Sequence, residues 1–302
     1  MKKALLPLLM LSCVVNTAQA ADWFKSSDTL TQVHKHLLDN DLPQMFDSLV
    51  EVWQINSSQS REDHLNELFD QALNKDCGKT LTRKTLPDWI SSVVVKRHII
   101  QSPGRDTFRV SIDVESENNI QDITFEKWVD KIVSSDSELT KDNEVVNNAS
   151  VSLYRKRYNL ASQLESGLYR LSVKGDGGNS WSTWIILGDV AFRQQVRWAS
   201  KDTWRIDKKE LLNPYCPLPK LEIGLYDYVD EHYEQVWGKS YESDYPMNLT
   251  GEELPNDRYV LAVSMVHSRW QGDIAIEQAQ TCLLYTSPSP RDLRASRMPS
   301  SA

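Results

Sequence analysis

The sequence has few positive charges relative to negative ones. Its 302 residues include 34 lysines and arginines against 42 aspartates and glutamates, a formal net charge of −8 at pH 7. An acidic surface repels nucleic-acid phosphates and anionic lipid headgroups. Beyond residue 20, no segment reaches the roughly 20 consecutive apolar residues that a membrane helix needs. We therefore expect no nucleic acid among the partners and no membrane span in this part of the chain.

Patterns typical of enzymes are also missing. Ser180 follows a glycine-containing turn but lacks the closing glycine of a nucleophile elbow, so we interpret it as a turn residue. His34 and His36 lie two positions apart on a predicted helix and point in different directions, unlike metal ligands three or four apart. The remaining histidines stand singly in the sequence: His64, His98, His232 and His267. We predict no catalytic residue and a non-catalytic protein.

Two further patterns fall short of a ligand site. Asp227, Asp230 and Glu231 form an acidic cluster that suits a cation, but calcium loops space their ligands more regularly and include a turn glycine. We interpret the cluster as a solvated loop. The glycine-rich residues 175–178 join two predicted strands and do not open a helix, so they are not a phosphate loop. The sequence thus predicts no metal and no cofactor.

Residues 1–20 have the layout of a cleaved signal peptide. Lys2 and Lys3 precede an apolar run over residues 4–15, and residues 18–20 read Ala-Gln-Ala. Signal peptidase recognises this order of zones. The alternative is a lipoprotein acylated at Cys13, which we disfavour because the Ala-Gln-Ala site is better formed. We predict export to the bacterial periplasm.

The sequence from Cys282 onward looks artefactual. Residues 282–292 back-translate to a transposase-type sequencing adapter, and residues 296–302 back-translate to the distal end of the same adapter. Two adapter blocks in one reading frame are hard to obtain by chance. We expect residues 282–302 to have no packed role in the fold.

Two cysteines remain between the signal peptide and this tail, namely Cys77 and Cys216. In an oxidising periplasm we expect them to form a disulfide that clamps the N-terminal region onto a distant segment. The alternatives are two buried free thiols, or a pairing partner in natural sequence lost after Thr281.

Residues 28–73 show helical periodicity. Three apolar stripes recur with helical spacing and are separated by turn-forming residues at 40–43 and 56–58. The stripes are Leu30, Val33 and Leu37; Met45, Phe46, Leu49, Val50 and Trp53; and Leu65, Leu68, Phe69, Ala72 and Leu73. We predict three helices that must pack on another element, because each stripe is narrow.

Beyond Trp89 the period changes to two and indicates short β-strands. The pattern of residues 159–181 recurs at residues 248–270, where Tyr169, Leu171 and Val173 are echoed by Tyr259, Leu261 and Val263. A repeat of this length matches a small β-sandwich, and the pattern around Tyr169 resembles the immunoglobulin strand in which a tyrosine pins a corner.

We therefore predict an α+β protein with a three-helix unit followed by two tandem immunoglobulin-like β-sandwiches, the second truncated. The predicted divisions are residues 1–20, 21–84, 85–193, 194–281 and 282–302, namely signal peptide, helical domain, first sandwich, incomplete second sandwich and artefactual tail.

The chain also resembles an uncharacterised domain-of-unknown-function family of secreted proteins from vibrios and related marine bacteria. The residues that carry the resemblance are those at 40–53, 76–78, 86–89, 101–105 and 180–184. The resemblance implies secretion and this architecture, and it implies no established activity.

One segment between the two repeats combines aromatic and basic residues. Trp198 and Trp204 stand beside Arg197 and Arg205, and tryptophan and arginine most often carry interface energy. We predict that this segment contacts a partner; the alternative is a structural role in linking the domains. The expected function is a periplasmic accessory that binds another envelope protein. The alternative is a glycan or peptidoglycan binder or hydrolase that uses surface tryptophans.

Overall fold

A computed structural model describes most of the chain, and within it the fold is mostly β-sheet with three N-terminal helices. The described residues are 28–55, 59–129, 131–142, 151–189, 192–200, 203–229, 232–249 and 259–285. The predicted signal peptide, Asp230, Glu231 and residues 286–302 lie outside them. No helix among the described residues is long and apolar enough to cross a membrane.

The three helices form as predicted and bury their apolar stripes. They are α1 (Thr29–Leu38), α2 (Leu42–Ile55) and α3 (Gln59–Asp76). Leu49 and Phe69 are fully buried, and the helical core also contains Leu168 and Ile186 from two strands. The helices therefore pack on a sheet, because their stripes are too narrow to enclose a core alone.

Helix α3 stops where the backbone turns left-handed. Cys77 and Gly78 have φ values of 62° and 86°, and the Asp76 carboxylate accepts hydrogen bonds from the backbone N–H of Gly78 and Thr80 at 2.8 Å each. A side chain at Gly78 would collide with the carbonyl oxygen of Trp270. Glycine is thus required both for the turn and for the close approach of a strand.

Fourteen strands form three sheets in the described chain. The large sheet has the order β12 (His232–Tyr241), β11 (Lys220–Val229), β13 (Val260–Gln271), β14 (Ile274–Tyr285), β1 (Ile90–Ser102), β2 (Arg105–Ser116), β6 (Ser152–Leu160), β5 (Ser137–Asp142). The second sheet has the order β4 (Lys131–Ile132), β3 (Ile120–Lys127), β7 (Gly167–Gly175), β8 (Ser180–Leu187). The third is a hairpin of β9 (Gln194–Trp198) and β10 (Trp204–Lys208).

The first core lies between the second sheet and one half of the large sheet. Alternate residues such as Val95, Ile112 and Leu171 point inward and are fully buried. Tyr169 is also buried, and its hydroxyl donates to the carbonyl oxygen of Glu165 at 2.7 Å. The tyrosine corner suggested by the sequence is therefore formed in the first repeat.

The second core lies between the other half of the large sheet and the β9–β10 hairpin. It includes Leu221, Val263 and Met265. Strand β14 pairs in parallel with β1, from Val93 opposite Ile274 to Gln101 opposite Cys282. The sequence predicts two tandem sandwiches as consecutive units, whereas in the structure the two cores share one continuous sheet. Sequence repeats identify similar units, but they carry no signal for pairing between strands so far apart in the chain.

The prediction that the tail has no packed role is wrong for its first residues. Strand β14 continues to Tyr285, and Cys282 is buried in the second core opposite Val263. Leu284, two positions on, also packs against this core. The residues after Thr281 keep the strand's alternation, so they extend the sheet whatever their origin.

The predicted disulfide between Cys77 and Cys216 is present. Their Cα atoms are 5.1 Å apart, and the Asn213 side-chain N–H donates to the carbonyl oxygen of Leu73 at 2.9 Å beside it. Together these contacts hold the loop between β10 and β11 on the end of helix α3.

Candidate binding surface

The structure separates the four residues of the predicted contact segment. Trp204 is 1% exposed in the second core, and its indole Nε1 donates to the carbonyl oxygen of Pro246 at 2.7 Å. Trp198 is half-buried, with its ring edge-on to Trp204 at a centroid distance of 6.0 Å. Trp204 therefore cannot be a contact residue, and this part of the prediction is wrong.

Arg197 and Arg205 lie on the opposite, exposed face of the same hairpin. In the register of β9 and β10, Trp198 is opposite Trp204 and Arg197 is opposite Arg205. The Nε atoms of the two arginines lie 3.4 and 3.0 Å from Asp207 carboxylate oxygens. Strand alternation thus puts the aromatic residues inside and the basic residues outside.

The other described tryptophans are also at least half-buried. Trp89 and Trp181 pack on the first core, Trp128 and Trp184 on the helical core, and Trp237 on the second core. Within the described residues, no tryptophan is fully exposed in the way that a flat sugar-stacking platform requires. The aromatic content of the sequence therefore reflects packing.

Two histidines that are 30 positions apart in the sequence meet in the structure. His34 Nε2 on α1 lies 3.2 Å from His64 Nε2 on α3. Burial, and then the neighbouring His64, lower the pKa of His34 below its usual value. No group of three or more potential metal ligands occurs among the described residues. The pair is separated by a whole helix in the sequence, so spacing alone gave no signal for it.

An open trough with a volume of about 950 Å³ lies on the exposed face of the large sheet. Strands of both halves contribute to it. The trough is lined by His98, Ile100, Ser102, Thr107, Arg109, Asn159, Glu222, Tyr226, Tyr233, Val260, Ala262, Ser264, Ala279, Thr281 and Leu283, together with Pro103, Arg105, Phe108 and Leu160. The two halves of the large sheet are joined by the pairing of β1 with β14. The trough therefore forms only when both halves are assembled.

Small side chains form the floor of the trough and a tyrosine forms one wall. Ala262, Ser264 and Ala279 leave little side-chain volume above the strands. A Cβ atom at Gly224 would lie 2.8 Å from Cε2 of Tyr226, so the tyrosine ring packs directly on the backbone at Gly224. The trough is concave because its central positions lack large side chains.

One end of the trough is cationic. Burial lowers the pKa of His98 to about 3, and the neighbouring Lys96, Arg109, Arg155 and Arg157 add to this shift. Lys96 and Arg155 are paired with Glu277 and Asp113. Arg109 contacts the neutral Asn159 side chain at 3.1 Å. In the sequence, polar and apolar residues alternate along β1, β2 and β6, which indicates that these basic side chains share the outer face. Only the pairing of the three strands brings the basic side chains next to one another.

A smaller cleft of about 380 Å³ adjoins the trough. It shares Ser102, Pro103 and Leu283 with the trough and is also lined by Arg197 and Trp198. Two of the four residues predicted to contact a partner therefore lie at the edge of the larger surface.

Comparison with known proteins identifies the family. The family model described as "Protein of unknown function (DUF2861)" matches residues 23–285. The chain belongs to the DUF2861 family. The DUF2861 match covers all strands that line the trough, and it extends beyond Thr281 to the last residue of β14. It therefore includes the start of the segment expected to be artefactual.

Other comparisons add little about the DUF2861 chain. No curated protein matches it. Among solved structures, it is similar to "Tandem Ig repeats of Dlar", with 10% sequence identity and a TM-score of 0.28, over 65% of this chain and 97% of that chain.

Proposed function

We propose that this DUF2861 protein is a non-catalytic periplasmic accessory that binds another envelope protein in the trough of its large sheet. The observation that carries the proposal is the trough itself, a concave surface built by strands of both halves. The signal-peptide pattern of residues 1–20 supports the location. The immunoglobulin-like character of the two units is part of the same proposal and is supported by the Tyr169 corner.

The dimensions of the trough suit an extended segment of a protein. It crosses β6, β2, β1, β14, β13, β11 and β12, which corresponds to about 29 Å at about 4.8 Å per strand spacing. An extended chain of about nine residues has the same length, at about 3.3 Å per residue. Small floor residues leave room for the side chains of such a segment.

The positive charge at one end of the trough indicates that the bound segment of the partner is acidic. Among the described residues, no carboxylate lies within 4 Å of Arg109 or Arg157, although the chain as a whole is acidic and Asp136 attracts Arg109 from a greater distance. Burial, followed by repulsion from Arg157, lowers the pKa of Arg109. A partner carboxylate would relieve this repulsion and form charge-assisted hydrogen bonds.

Reversing the charge of selected arginines tests whether the partner binds in the trough or on the exposed face of the β9–β10 hairpin. In the double variant Arg109→Glu/Arg157→Glu we expect at least tenfold weaker capture of the partner from envelope extracts, because an acidic segment is then repelled. The matched control is Arg197→Glu/Arg205→Glu on the exposed hairpin face. Both variants are first checked for an unchanged melting temperature.

The outcomes separate the alternatives. Loss of capture only in the hairpin variant would place the contact on Arg197 and Arg205, beside the trough and not in it. Unchanged capture in both variants would contradict the proposal. Retention of the protein on peptidoglycan would favour glycan binding, and turnover of labelled peptidoglycan would establish an enzyme.

A further inference from the structure

A second cavity lies on the opposite face of the large sheet from the trough. It lies between the end of helix α3, the strands β1, β13 and β14, and the loop held by the disulfide, and its volume is about 400 Å³. We call it the junction cavity because it lies where the helical, first and second cores meet. Its lining includes three arginines and a histidine, namely Arg97, Arg193, His267 and Arg269.

Arg97 is a buried cation with incomplete pairing. It is 4% exposed on the inner face of β1, and its Nη1 donates to the carbonyl oxygen of Gly188 at 2.9 Å. Its Nε and Nη2 atoms have no hydrogen-bond acceptor among the described residues. Burial lowers the pKa of Arg97 to about 10. A buried guanidinium without an anion is costly, so a bound anion would stabilise it.

Arg269 places a second cation on the same cavity. Its Nη2 donates to the carbonyl oxygen of Ile186 at 2.7 Å, and its guanidinium carbon lies 5.1 Å from the centroid of the Phe69 ring. No carboxylate of the described chain lies at ion-pair distance from either Arg97 or Arg269. Burial lowers the pKa of Arg269 to about 9, with Arg97 as the next cause.

His267 adds a neutral donor. Its Nε2 accepts a hydrogen bond from the backbone N–H of Gln194 at 3.3 Å. Burial lowers the pKa of His267 to about 4, so the ring is neutral at pH 7 and carries its proton on Nδ1. That N–H is buried and has no acceptor in the described chain. Two side chains around one cavity, Arg97 and His267, therefore offer buried donors that have no acceptor in the described chain.

A pair elsewhere on the same sheet shows what such an arginine binds. Arg155 donates from Nε and Nη2 to the two carboxylate oxygens of Asp113, at 2.8 Å each. Arg97 has the same Nε and Nη2 edge without an acceptor. This edge matches a planar carboxylate in a bidentate contact.

We propose that the junction cavity binds a small molecule through its carboxylate, which is held by Arg97 and Arg269. Asp70, Asp189 and Glu210 also line the cavity and equal its three arginines in number, but none of these carboxylates lies at ion-pair distance from Arg97 or Arg269, so the donors of Arg97 remain available to a singly charged ligand. The apolar walls Leu73, Leu212 and Ile276 suit an uncharged ligand body. This site is independent of the trough.

Carboxylate binding is tested by ¹H–¹⁵N NMR of the full chain, in which the Nε–H signals of the arginines are recorded. The protein is titrated separately with benzoate, benzamide and inorganic phosphate at constant ionic strength. We expect benzoate to shift the Arg97 signal saturably below about 10 mM and benzamide to have no effect, because benzamide lacks the charge. Arg97→Lys identifies the Arg97 signal and should weaken benzoate binding at least tenfold, as followed on Arg269. Arg155→Lys is the matched control and should not change the affinity.

Three results would overturn the proposal: no saturable shift with benzoate, equal shifts with benzoate and benzamide, or a response to phosphate alone. Unchanged affinity in Arg97→Lys would also overturn it. If Arg97→Lys does not fold, Arg269→Lys takes its place, and the wild-type titration still decides whether a carboxylate binds.

Discussion

Trp204 fills the centre of the second core, where its indole packs edge-on against Trp198 and donates to Pro246. Its neighbour Arg205 points to solvent from the same strand. At the scale of single residues, the period of two along a strand decides which of two adjacent side chains is structural. The sequence shows this alternation, but it does not show which face meets the core.

Replacing Trp204 by alanine should lower the free energy of unfolding by about 3–5 kcal/mol, because a fully buried indole is removed. Arg205→Ala should change it by less than about 0.5 kcal/mol, since Arg205 is exposed. Urea unfolding of the two variants measures both values. Equal stability of the two variants would show that Trp204 is not a core residue.

Two buried histidines should make the protein less stable in acid. Burial lowers the pKa of His98 to about 3, with Lys96, Arg109, Arg155 and Arg157 contributing, and that of His267 to about 4 with a contribution from Arg193. Their unfolded pKa is about 6.5. The unfolded state therefore binds more protons below pH 6.5, and stability falls as the pH decreases from 6.5 towards 4.

Urea unfolding at pH 7 and pH 5 measures this loss, and His98→Gln should make it smaller because one titrating group is removed. His36→Gln is a suitable control on helix α1. A pH dependence that is the same in wild type and in His98→Gln would contradict the buried position of His98.

At the scale of elements, the helical unit was the part best predicted from sequence. The stripes of α1, α2 and α3 indicated both the helices and their inward faces, because helical periodicity is a local signal. Their packing partner, the sheet that carries Leu168 and Ile186, is not local and was not predicted.

Leu49 tests the helical core directly. Its side chain is fully buried, so Leu49→Ala should lower the free energy of unfolding by about 2–5 kcal/mol. Leu38→Ala, at the exposed end of α1, should have little effect because Leu38 is 73% exposed. Thermal or urea unfolding distinguishes the two variants, and similar losses in both would contradict the assignment of the helix faces.

The disulfide joins elements that are 139 residues apart in sequence. Cys77→Ser/Cys216→Ser should lower the free energy of unfolding by about 2–4 kcal/mol, since the unfolded chain is no longer constrained. Urea unfolding of the oxidised wild type and the double variant measures this difference. Free thiols in protein isolated from the periplasm, found by mass spectrometry under non-reducing conditions, would contradict the bridge.

At the scale of the whole molecule, the continuous sheet through β14 and β1 is the feature that the sequence could not show. Local patterns predicted two similar β units, and two cores are present. The parallel pairing from Val93 opposite Ile274 onward joins strands of different halves. Both the trough and the junction cavity depend on this pairing, so the candidate sites escaped prediction. Arg197 and Trp198 were predicted from their residue types alone, and the structure places them beside the trough.

The most direct test of the account places a photocrosslinking amino acid at Thr107 in the trough and, in a separate variant, at Leu211, which is 90% exposed outside it. Irradiation of cells that export each variant reports which surface touches a partner. We predict a discrete adduct with one envelope protein from Thr107 and none from Leu211. An adduct from Leu211 alone, or none from Thr107, would contradict a partner in the trough.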